Sequence, residues 1–181
     1  MVEDCLRDQI LAAIPSLRAF ATSLTGNRDR ADDLVQDAIL RAWANLDRFE
    51  RGTNLNAWLF TILRNQFHSE YRKRKREVED ADGSYAARLK THPDQQSRLD
   101  FEDFRAALAT LPLDQREALL LVGAQGMSYE DAAAVCQVAV GTVKSRVNRA
   151  RSKLAYLLDL TGEAELGPDD VTKAALAADQ V

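Results

Sequence analysis

The stretch from Met127 to Leu154, MSYEDAAAVCQVAVGTVKSRVNRARSKL, predicts two short helices joined by a tight turn. Ser128 followed three residues later by Asp131 fits a capping box at the start of the first helix, although Glu is the usual acid there. Apolar residues then recur at spacings of three and four, which predicts a buried face on each helix. These faces comprise Ala132, Ala133 and Val135 in the first helix, and Val140, Val143, Val147, Ala150 and Leu154 in the second.

Polar and cationic side chains of the second helix lie largely off its apolar stripe. Such a front suits the DNA major groove, because Arg and Lys pair with guanine, Asn pairs with adenine, and further cations bind phosphates. A solvated amphipathic helix at the end of a bundle is the alternative. The turn spacing, the small first helix and the basic second helix together favour a helix-turn-helix. The residues expected to face outward are Lys144, Ser145, Asn148, Arg149 and Arg151.

Charge is distributed unevenly along the 181 residues, a length that fits one large or two small domains. The net charge of −4 by itself argues against nucleic-acid binding. However, residues 1–76 carry a net charge of +3, residues 77–100 carry −3, residues 101–160 are neutral, and residues 161–181 carry −4. The acidity therefore belongs to a connector and a tail, which leaves the cations concentrated where DNA would bind.

Several classes of protein find no support in the sequence. Cys5 and Cys136 are far apart and His68 and His92 are isolated, so we predict no metal site and no cofactor, with Cys136 as a small core residue. We find no catalytic residues, because the chain has no Gly-rich phosphate loop and no nucleophile paired with a base. The N-terminus has no signal-peptide character, and uncharged runs such as residues 118–129 are shorter than a membrane span. We therefore expect a soluble, cytoplasmic protein that is not an enzyme and has neither a membrane partner nor a small-molecule substrate.

Helical periodicity without strand alternation predicts an all-α fold with two small domains. In the first, residues 1–76, Gly26 breaks the pattern, Asn27 or Asp29 caps the next helix, residues 47–56 form a loop, and a third helix starts at about Leu55. The apolar stripe of the first helix comprises Leu6, Ile10, Ile14, Leu17, Phe20 and Leu24. The stripe of the second helix comprises Leu34, Val35, Ala38, Ile39, Ala42 and Leu46.

The second half begins with residues 77–98, which are acidic, polar and without apolar periodicity, and which we interpret as a flexible linker. Helical pattern resumes at about Leu99, Pro112 marks a helix boundary, and residues 113–122 form a helix before the helix-turn-helix. The second domain spans residues 99–160, and residues 161–181 form an acidic tail with a weakly helical end at residues 171–178.

Two helical modules, the second ending in a helix-turn-helix, resemble bacterial sigma factors of the extracytoplasmic-function group, which keep only the second and fourth sigma domains. The resemblance covers about residues 7–158 and implies sigma domain 2 in residues 1–76 and sigma domain 4 in residues 99–160. ADDLVQD at residues 31–37 and RAW at residues 41–43 look like the helix that grips the coiled coil of the polymerase β′ clamp. A solvated face with helix-cap acids is the alternative. The implied polymerase contacts are Asp33, Gln36, Asp37, Leu40 and Arg41.

FERGTN at residues 49–54 resembles the family loop that receives a base flipped from the −10 element. Extruding a base costs a few kcal/mol, so the receiving site needs hydrogen bonds and apolar packing. Gly52 permits close approach and Asn65 reads a base edge, whereas we favour a core position for Trp58. The basic run at residues 72–76 resembles the end of this helix that meets promoter backbone; taken alone, it would be a solvated face. The implied −10 contacts are Phe49, Glu50, Arg51, Gly52, Thr53, Asn54, Asn65, Arg72, Lys73, Arg74, Lys75 and Arg76.

LPLDQREALLL at residues 111–121 is similar to the helix that precedes the −35 reader, and VGTVKSRVNRAR at residues 140–151 is similar to the reader itself. The turn departs from the family pattern, because Gln137, Val138 and Ala139 stand where many members have Gly followed by a Cys-Pro pair. Gln137 would be modestly strained in a left-handed conformation. The implied −35 contacts are Thr142, Lys144, Ser145, Arg146, Asn148, Arg149 and Arg151.

IPSLRAFATSLTGNRDRADDLVQ, GTNLNAWLFTILRN, SEYRKRKREVED and LPLDQREALLLVGAQGMSYEDAA resemble the EcfG-type sigma factors of alphaproteobacteria, which drive the general stress response. This resemblance implies core RNA polymerase (β′ clamp and β flap), promoter DNA and a NepR-type anti-sigma factor as partners. A PhyR-type sigma mimic would carry a receiver domain, for which about twenty residues after the second module leave no room. An ordinary helix-turn-helix regulator would need a dimerisation or ligand domain. We therefore expect a sigma factor that directs promoter-specific initiation, with its anti-sigma factor holding it inactive.

Overall fold

The computed structural model describes residues 2–79 and 96–158, and the side chains of residues 6–76 and 102–158. Within these ranges every regular element is helical, so the predicted all-α fold is confirmed. No helix of the described part is both long and apolar enough to cross a lipid bilayer. A 3₁₀ turn at Leu46–Arg48 and a π-helical turn at Leu120–Ala124 join the α-helices. These are α1 (Val2–Thr25), α2 (Arg28–Ala44), α3 (Leu55–Glu79), α4 (Gln96–Ala109), α5 (Leu113–Leu119), α6 (Tyr129–Cys136) and α7 (Val140–Leu157).

The helices form two compact units. The first is built on α1 to α3, and the second on α4, α5, α7 and the first part of α6, residues 129–133. The helices extend further than the periodicity indicated, since α3 ends at Glu79 and α4 begins at Gln96. Gln96, Ser97 and Arg98 are all polar, so they add no apolar period from which the earlier start could be predicted. The remaining linker residues 80–95 and the predicted tail at residues 161–181 lie outside the described residues.

The first unit has its core where α1 packs against α2 and α2 packs against α3. The Phe20 and Phe60 rings meet edge to face with centroids 5.2 Å apart, an arrangement that adds to the stabilisation from burial alone. The predicted stripes are buried at most positions, while Leu6, Ile14 and Leu46 are only half-buried. Two alanines of α1, Ala13 and Ala21, are also buried in this core, although the predicted stripe did not include them.

Gly26 and Asn27 end α1 and start α2 by separate mechanisms. Gly26 has a φ of +64°, and its N–H donates to the Thr22 carbonyl at 2.9 Å, which closes the last turn of α1. The Asn27 side chain accepts from the Arg30 N–H at 2.9 Å. Asn27 is therefore the N-cap of α2, and Asp29 lies inside the first turn.

Side chains of α5 and α7 donate hydrogen bonds to backbone carbonyls just after the end of α4. The Arg116 guanidinium donates to the Leu111 carbonyl at 3.0 Å, and Lys153 Nζ donates to the Thr110 carbonyl at 3.4 Å. Burial lowers the pKa of Arg116 below its ordinary value, and the neighbouring Glu117 opposes this shift. These contacts frame an apolar cluster of Ala107, Leu108, Leu111, Ala150 and Leu154.

The helix before the helix-turn-helix is shorter than predicted. Leu113 starts α5 directly after Pro112, as expected. However, α5 ends at Leu119 and continues as the π-helical turn, with Gly126 at a φ of +64° before Met127. A π-turn keeps the apolar residues in sequence but widens the hydrogen-bonded ring, so periodicity alone does not distinguish it from α-helix.

The helix-turn-helix itself is confirmed, with the Ser128 hydroxyl accepting from the Asp131 N–H at 3.0 Å. After α6, the Val138 N–H bonds to the Ala133 carbonyl at 3.1 Å and the Gln137 N–H bonds to the Ala134 carbonyl at 3.3 Å. This pair of bonds is a Schellman motif, which places Gln137 at the position that glycine usually occupies. Its φ of +57° is left-handed, the conformation in which the sequence predicted modest strain for a glutamine. The neighbouring Cys136 is buried, as predicted.

Replacing Gln137 with glycine should therefore stabilise the turn between α6 and α7. A left-handed conformation costs a non-glycine residue about 1–2 kcal/mol, part of which glycine returns through its greater freedom when unfolded. We expect Gln137→Gly to raise the free energy of unfolding by about 1 kcal/mol in urea titrations. Ala134→Gly, at an exposed position inside α6, is the control and should lower it by about 1 kcal/mol. A loss of stability in both variants would show that Gln137 is not strained.

Candidate nucleic-acid and protein interfaces

The outward face of α7 is fixed by the stripe buried behind it. Val143, Val147, Ala150 and Leu154 are all buried, so the residues half a turn away face solvent. We call this the α7 front, and it comprises Gly141, Ser145, Asn148, Arg149 and Ser152. Ser145 is half-buried with its hydroxyl donating to the Thr142 carbonyl at 2.9 Å, and the other four are exposed.

Sequence reasoning placed Ser145, Asn148 and Arg149 on this front but missed Gly141 and Ser152. Both residues are small and uncharged, so neither stands out in a search for cations and amides. Their positions could have been found from the stripe, because both lie on the row through Ser145 and Asn148 at spacings of three and four. Small residues here allow the helix backbone to approach a groove closely.

Two of the predicted −35 contacts are engaged within the second unit. Arg146 Nε lies 3.1 Å from Asp114 Oδ2, an ion pair in which the arginine side chain is 19% exposed. Lys144 Nζ lies 5.8 Å from the ring centroid of the buried Tyr129. Thr142 and Arg151 are both half-buried at the margins of the front. Arg149 is thus the most accessible arginine of the predicted set, and Arg146 also joins α7 to α5.

The loop at residues 49–54 contains a tight turn that depends on Gly52. The Thr53 N–H donates to the Glu50 carbonyl at 3.2 Å, and the Thr53 hydroxyl donates to the same oxygen at 2.6 Å. Gly52 has a φ of +92° at the third position of this turn, where a type II turn requires a positive value. Glu50, Arg51 and Thr53 are exposed, so the turn presents its polar groups to solvent.

Asn54, the last residue of this loop, caps α3. Its side-chain oxygen accepts from the Ala57 N–H at 3.1 Å, and its carbonyl accepts from the Trp58 N–H at 3.1 Å. A side-chain cap of this kind stabilises a helix by about 1 kcal/mol. Asn54 therefore contributes to local structure as well as belonging to the predicted −10 set.

A groove of 670 Å³ lies between α2 and α3 beside the loop. The half-buried Trp58 lines it and also contacts Phe49, with ring centroids 5.2 Å apart. Trp58 is therefore only partly the core residue that we favoured. Residues from both predicted interfaces of this unit meet in the groove, whose lining is Asp37, Arg41, Asn45, Arg48, Trp58, Ile62, Asn65, Gln66, Ser69 and Glu70.

The basic run that follows on α3 is exposed at every position. Arg72, Lys73, Arg74, Lys75 and Arg76 lie beyond Phe67, the last buried residue among the described side chains of this helix. The run includes no acidic residue. It thus gives the end of α3 a concentrated positive charge of the kind that binds nucleic-acid backbone.

The outer face of α2 combines polar groups with exposed apolar surface. All five predicted polymerase contacts are exposed, and the Leu40 side chain is 52% exposed. These contacts are Asp33, Gln36, Asp37, Leu40 and Arg41. Trp43, which is 42% exposed, lies one turn beyond Leu40 and extends the same face. Exposed leucine and tryptophan side chains that adjoin on one helix are typical of a protein-binding surface.

Asp37 differs from the rest of this face because it also has a partner inside the unit. Its Oδ2 accepts from Gln66 Nε2 at 2.9 Å, and Gln66 is only 5% exposed. Removing the carboxylate would leave a buried amide without this partner, which costs about 1–3 kcal/mol. Substitutions at Asp37 therefore affect stability and binding together, whereas the exposed Leu40 allows binding to be tested more cleanly.

Two helical units, the second with a helix-turn-helix, are an arrangement typical of DNA-binding transcription factors. Sequence profiles of known families agree: Sigma-70 region 2 matches residues 10–77, and Sigma-70 region 4 matches residues 101–154. The chain is 69% identical over 173 residues to the ECF RNA polymerase sigma factor EcfG of Rhodopseudomonas palustris strain TIE-1, with 96% of each chain covered.

Solved structures show the same relationship. The sigma factor RpoE from Bartonella quintana, crystallised in complex with the anti-sigma factor NepR, matches with a TM-score of 0.79 and 54% identity. The match covers 86% of this chain and 98% of that one. The anti-anti-sigma factor PhyR of the same organism matches with a TM-score of 0.55 and 18% identity, over 83% of this chain and 49% of that one, which is a likeness of fold alone.

The chain therefore belongs to the ECF RNA polymerase sigma factors, and within them to the EcfG type. The family assignment made from the sequence is confirmed, and the sigma-mimic alternative is not supported. Sigma factors bind core RNA polymerase and promoter DNA, and they direct promoter-specific transcription initiation.

Proposed function

We propose that this sigma factor acts in the cytoplasm, where it directs core RNA polymerase to general stress response promoters and an anti-sigma factor of NepR type holds it inactive. All catalysis belongs to the polymerase, and the sigma factor supplies recognition. Sigma domain 2 occupies residues 1–76 and sigma domain 4 residues 99–160, with a linker at residues 77–98 and a tail at residues 161–181. The observation that carries the proposal is the α7 front, where exposed hydrogen-bonding side chains lie opposite a fully buried stripe.

Recognition of the −35 element centres on Asn148 and Arg149. Both are exposed on the front, and their side chains suit adenine and guanine edges respectively. Lys144, Arg151 and Thr142 flank the front and are placed for phosphate contacts. Arg146 has a smaller role, because its guanidinium already pairs with Asp114.

Recognition of the melted −10 element uses the loop and the groove beside it. Gly52 gives the turn its shape, the exposed Asn65 offers an amide to a base edge, and Phe49 with Trp58 supplies apolar surface. Residues 72–76 bind the DNA backbone through charge. This division separates groups that read bases from groups that only anchor the strand.

The core polymerase binds the outer face of α2 through its β′ clamp coiled coil, while sigma domain 4 meets the β flap. Leu40 and Trp43 supply apolar area, and Asp33, Gln36 and Arg41 surround it with polar contacts. An apolar centre with a polar rim is the usual anatomy of such interfaces.

Leu40→Asp should weaken holoenzyme formation at least tenfold, because it buries a charge in the apolar centre of that contact. Leu11→Asp is the matched control: Leu11 is an exposed leucine of α1, at 42% against 52% for Leu40, and lies outside the proposed face. Affinity for core polymerase would be measured by fluorescence anisotropy. Equal affinities for the two variants would rule out the α2 face as the clamp contact.

Base reading and phosphate anchoring should respond differently to mutation. Arg149→Ala should cost about 1–3 kcal/mol at one or two −35 positions and relax specificity there. Lys73→Ala should weaken all promoters alike and reduce the slope of log K against log salt by about one. Arg146→Ala controls for the loss of an α7 arginine and should change base preference less than Arg149→Ala. If Arg149→Ala lowered the affinity for all −35 sequences equally, its assignment as a base-reading residue would be wrong.

Anti-sigma control should require both modules. The Bartonella quintana relative is crystallised with NepR, and a partner that contacts both modules gains effective concentration through the chain that joins them. We expect a NepR-type protein to bind the intact chain near one to one and to block core binding. Fragments of residues 1–79 and 96–160, each retaining complete helices, should bind more weakly in calorimetry. Full affinity in one fragment would contradict control through both modules.

A further inference from the structure

The guanidinium group of Arg30 occupies an unfavourable place for a cation. Arg30 belongs to the first turn of α2, where the helix dipole favours negative charge. The residue is half-buried, and among the described residues its buried Nε has no hydrogen-bond partner. An unpaired buried donor is destabilising. An arginine at this position therefore does not stabilise α2.

Arg74 approaches the same place from α3. The core-facing row of α3 runs through Leu59, Leu63 and Phe67, all buried, and continues at helical spacing to Glu70 and Arg74. Glu70 is half-buried and Arg74 is exposed, so the row leaves the core one turn before Arg74. The Gln66 side chain of α3 donates to Asp37 of α2. Arg74 lies eight residues after Gln66 and Arg30 lies seven residues before Asp37, so two helices that run in opposite directions bring these arginines together at the start of α2.

The electrostatics agree with this placement. Burial lowers the pKa of Arg30 below its ordinary value, the neighbouring Arg74 lowers it further, and Glu70 opposes the shift. Arginine stays protonated at neutral pH despite such shifts, since its ordinary pKa is so high. Two like charges are thus held close together, with the Glu70 carboxylate nearby to offset them in part.

We propose that Arg30 and Arg74 together bind one phosphate of the promoter DNA backbone, an assignment that rests on the proposed function of α3. Two guanidinium groups present forked N–H donors that match phosphate oxygens. A bound phosphate would satisfy the unpaired Arg30 Nε and relieve the repulsion between the two arginines. The site thus extends the DNA-binding surface from the end of α3 onto α2.

DNA is favoured over an acidic peptide as the source of the anion. Arg74 is one of five exposed cations at residues 72–76, a run that contains no acidic residue. Five cations around one end of a helix attract a strand that carries a negative charge at every nucleotide, and each phosphate neutralised adds to the salt dependence of binding. An acidic segment of an anti-sigma factor is the alternative to test.

Arg30→Met is the first test, because it keeps most of the length and the apolar stem of the side chain and removes its charge. Holoenzyme carrying this variant would bind a duplex promoter fragment over a range of salt concentrations. The slope of log K against log salt should fall in magnitude by about 0.9, the value for one phosphate. In thermal unfolding of the free chain, the midpoint should stay level or rise, which a merely structural role for Arg30 would not allow.

Arg7→Met is the matched control for the loss of one arginine. Arg7 is exposed near the start of α1, roughly 27 Å along that helix from the end that leads into α2. Its slope should equal that of the unmodified chain. Arg74→Gln changes an exposed side chain and serves if Arg30→Met fails to fold. It should give the same loss of slope, and the double variant should lose no more than either single variant.

Unchanged slopes in Arg30→Met and Arg74→Gln would overturn the proposal. Unchanged slopes together with weaker binding of a NepR-type protein would overturn it in favour of an acidic peptide. Lys73→Ala separates this failure from failure of the proposed function. A reduced slope for Lys73→Ala alone would refute only the Arg30–Arg74 site, whereas no change in any of the three variants would refute DNA binding by the end of α3.

Discussion

Burial of the apolar stripe of each helix sets which of its polar side chains remain available to a partner. In α7 the buried residues Val143 and Val147 turn Asn148 and Arg149 toward solvent. In α2 the buried Leu34 and Ala38 turn Gln36 and Leu40 outward in the same way. The recognition surfaces are therefore consequences of packing, and they stay in register only while the core behind them is intact.

Several residues of these surfaces also stabilise the unit that carries them. Asp37 holds the buried Gln66, Asn54 caps α3, and Arg146 joins α7 to α5. Mutating such a residue changes folding and binding together, so a loss of activity does not by itself identify a contact. Leu40 and Arg149 are better probes, because both side chains are exposed on the outer faces of their helices. Arg30 is the opposite case, where the position is unfavourable for folding and so points to a partner.

Periodicity was sufficient to predict the helices and most of the core, because apolar stripes at spacings of three and four are typical of amphipathic helices. The turn at Gly26 and the strain at Gln137 could also be predicted from the sequence, since both follow from backbone sterics. The π-helical turn at Leu120–Ala124 could not be predicted, because it preserves the order of apolar residues. The placement of each interface came from resemblance to a family, and only the packed structure could separate Arg146 from Arg149.

The pairing of Asp37 with Gln66 and the approach of Arg74 to Arg30 could not be predicted from the sequence either. Both join residues on different helices, and the periodicity of each helix does not give its offset along the other. Exposed small residues such as Gly141 and Ser152 were missed for a different reason, namely that they carry no charge or amide to attract notice.

We expect this chain to give core RNA polymerase a preference for promoters with two separate elements. Run-off transcription measures this preference, with core polymerase, the intact chain and a library of templates randomised upstream of the start site. We predict that transcripts appear only when the chain is added, and that the transcribed templates share two sequence elements at a fixed spacing. Transcription that does not depend on the chain, or templates that share a single element or none, would contradict the account.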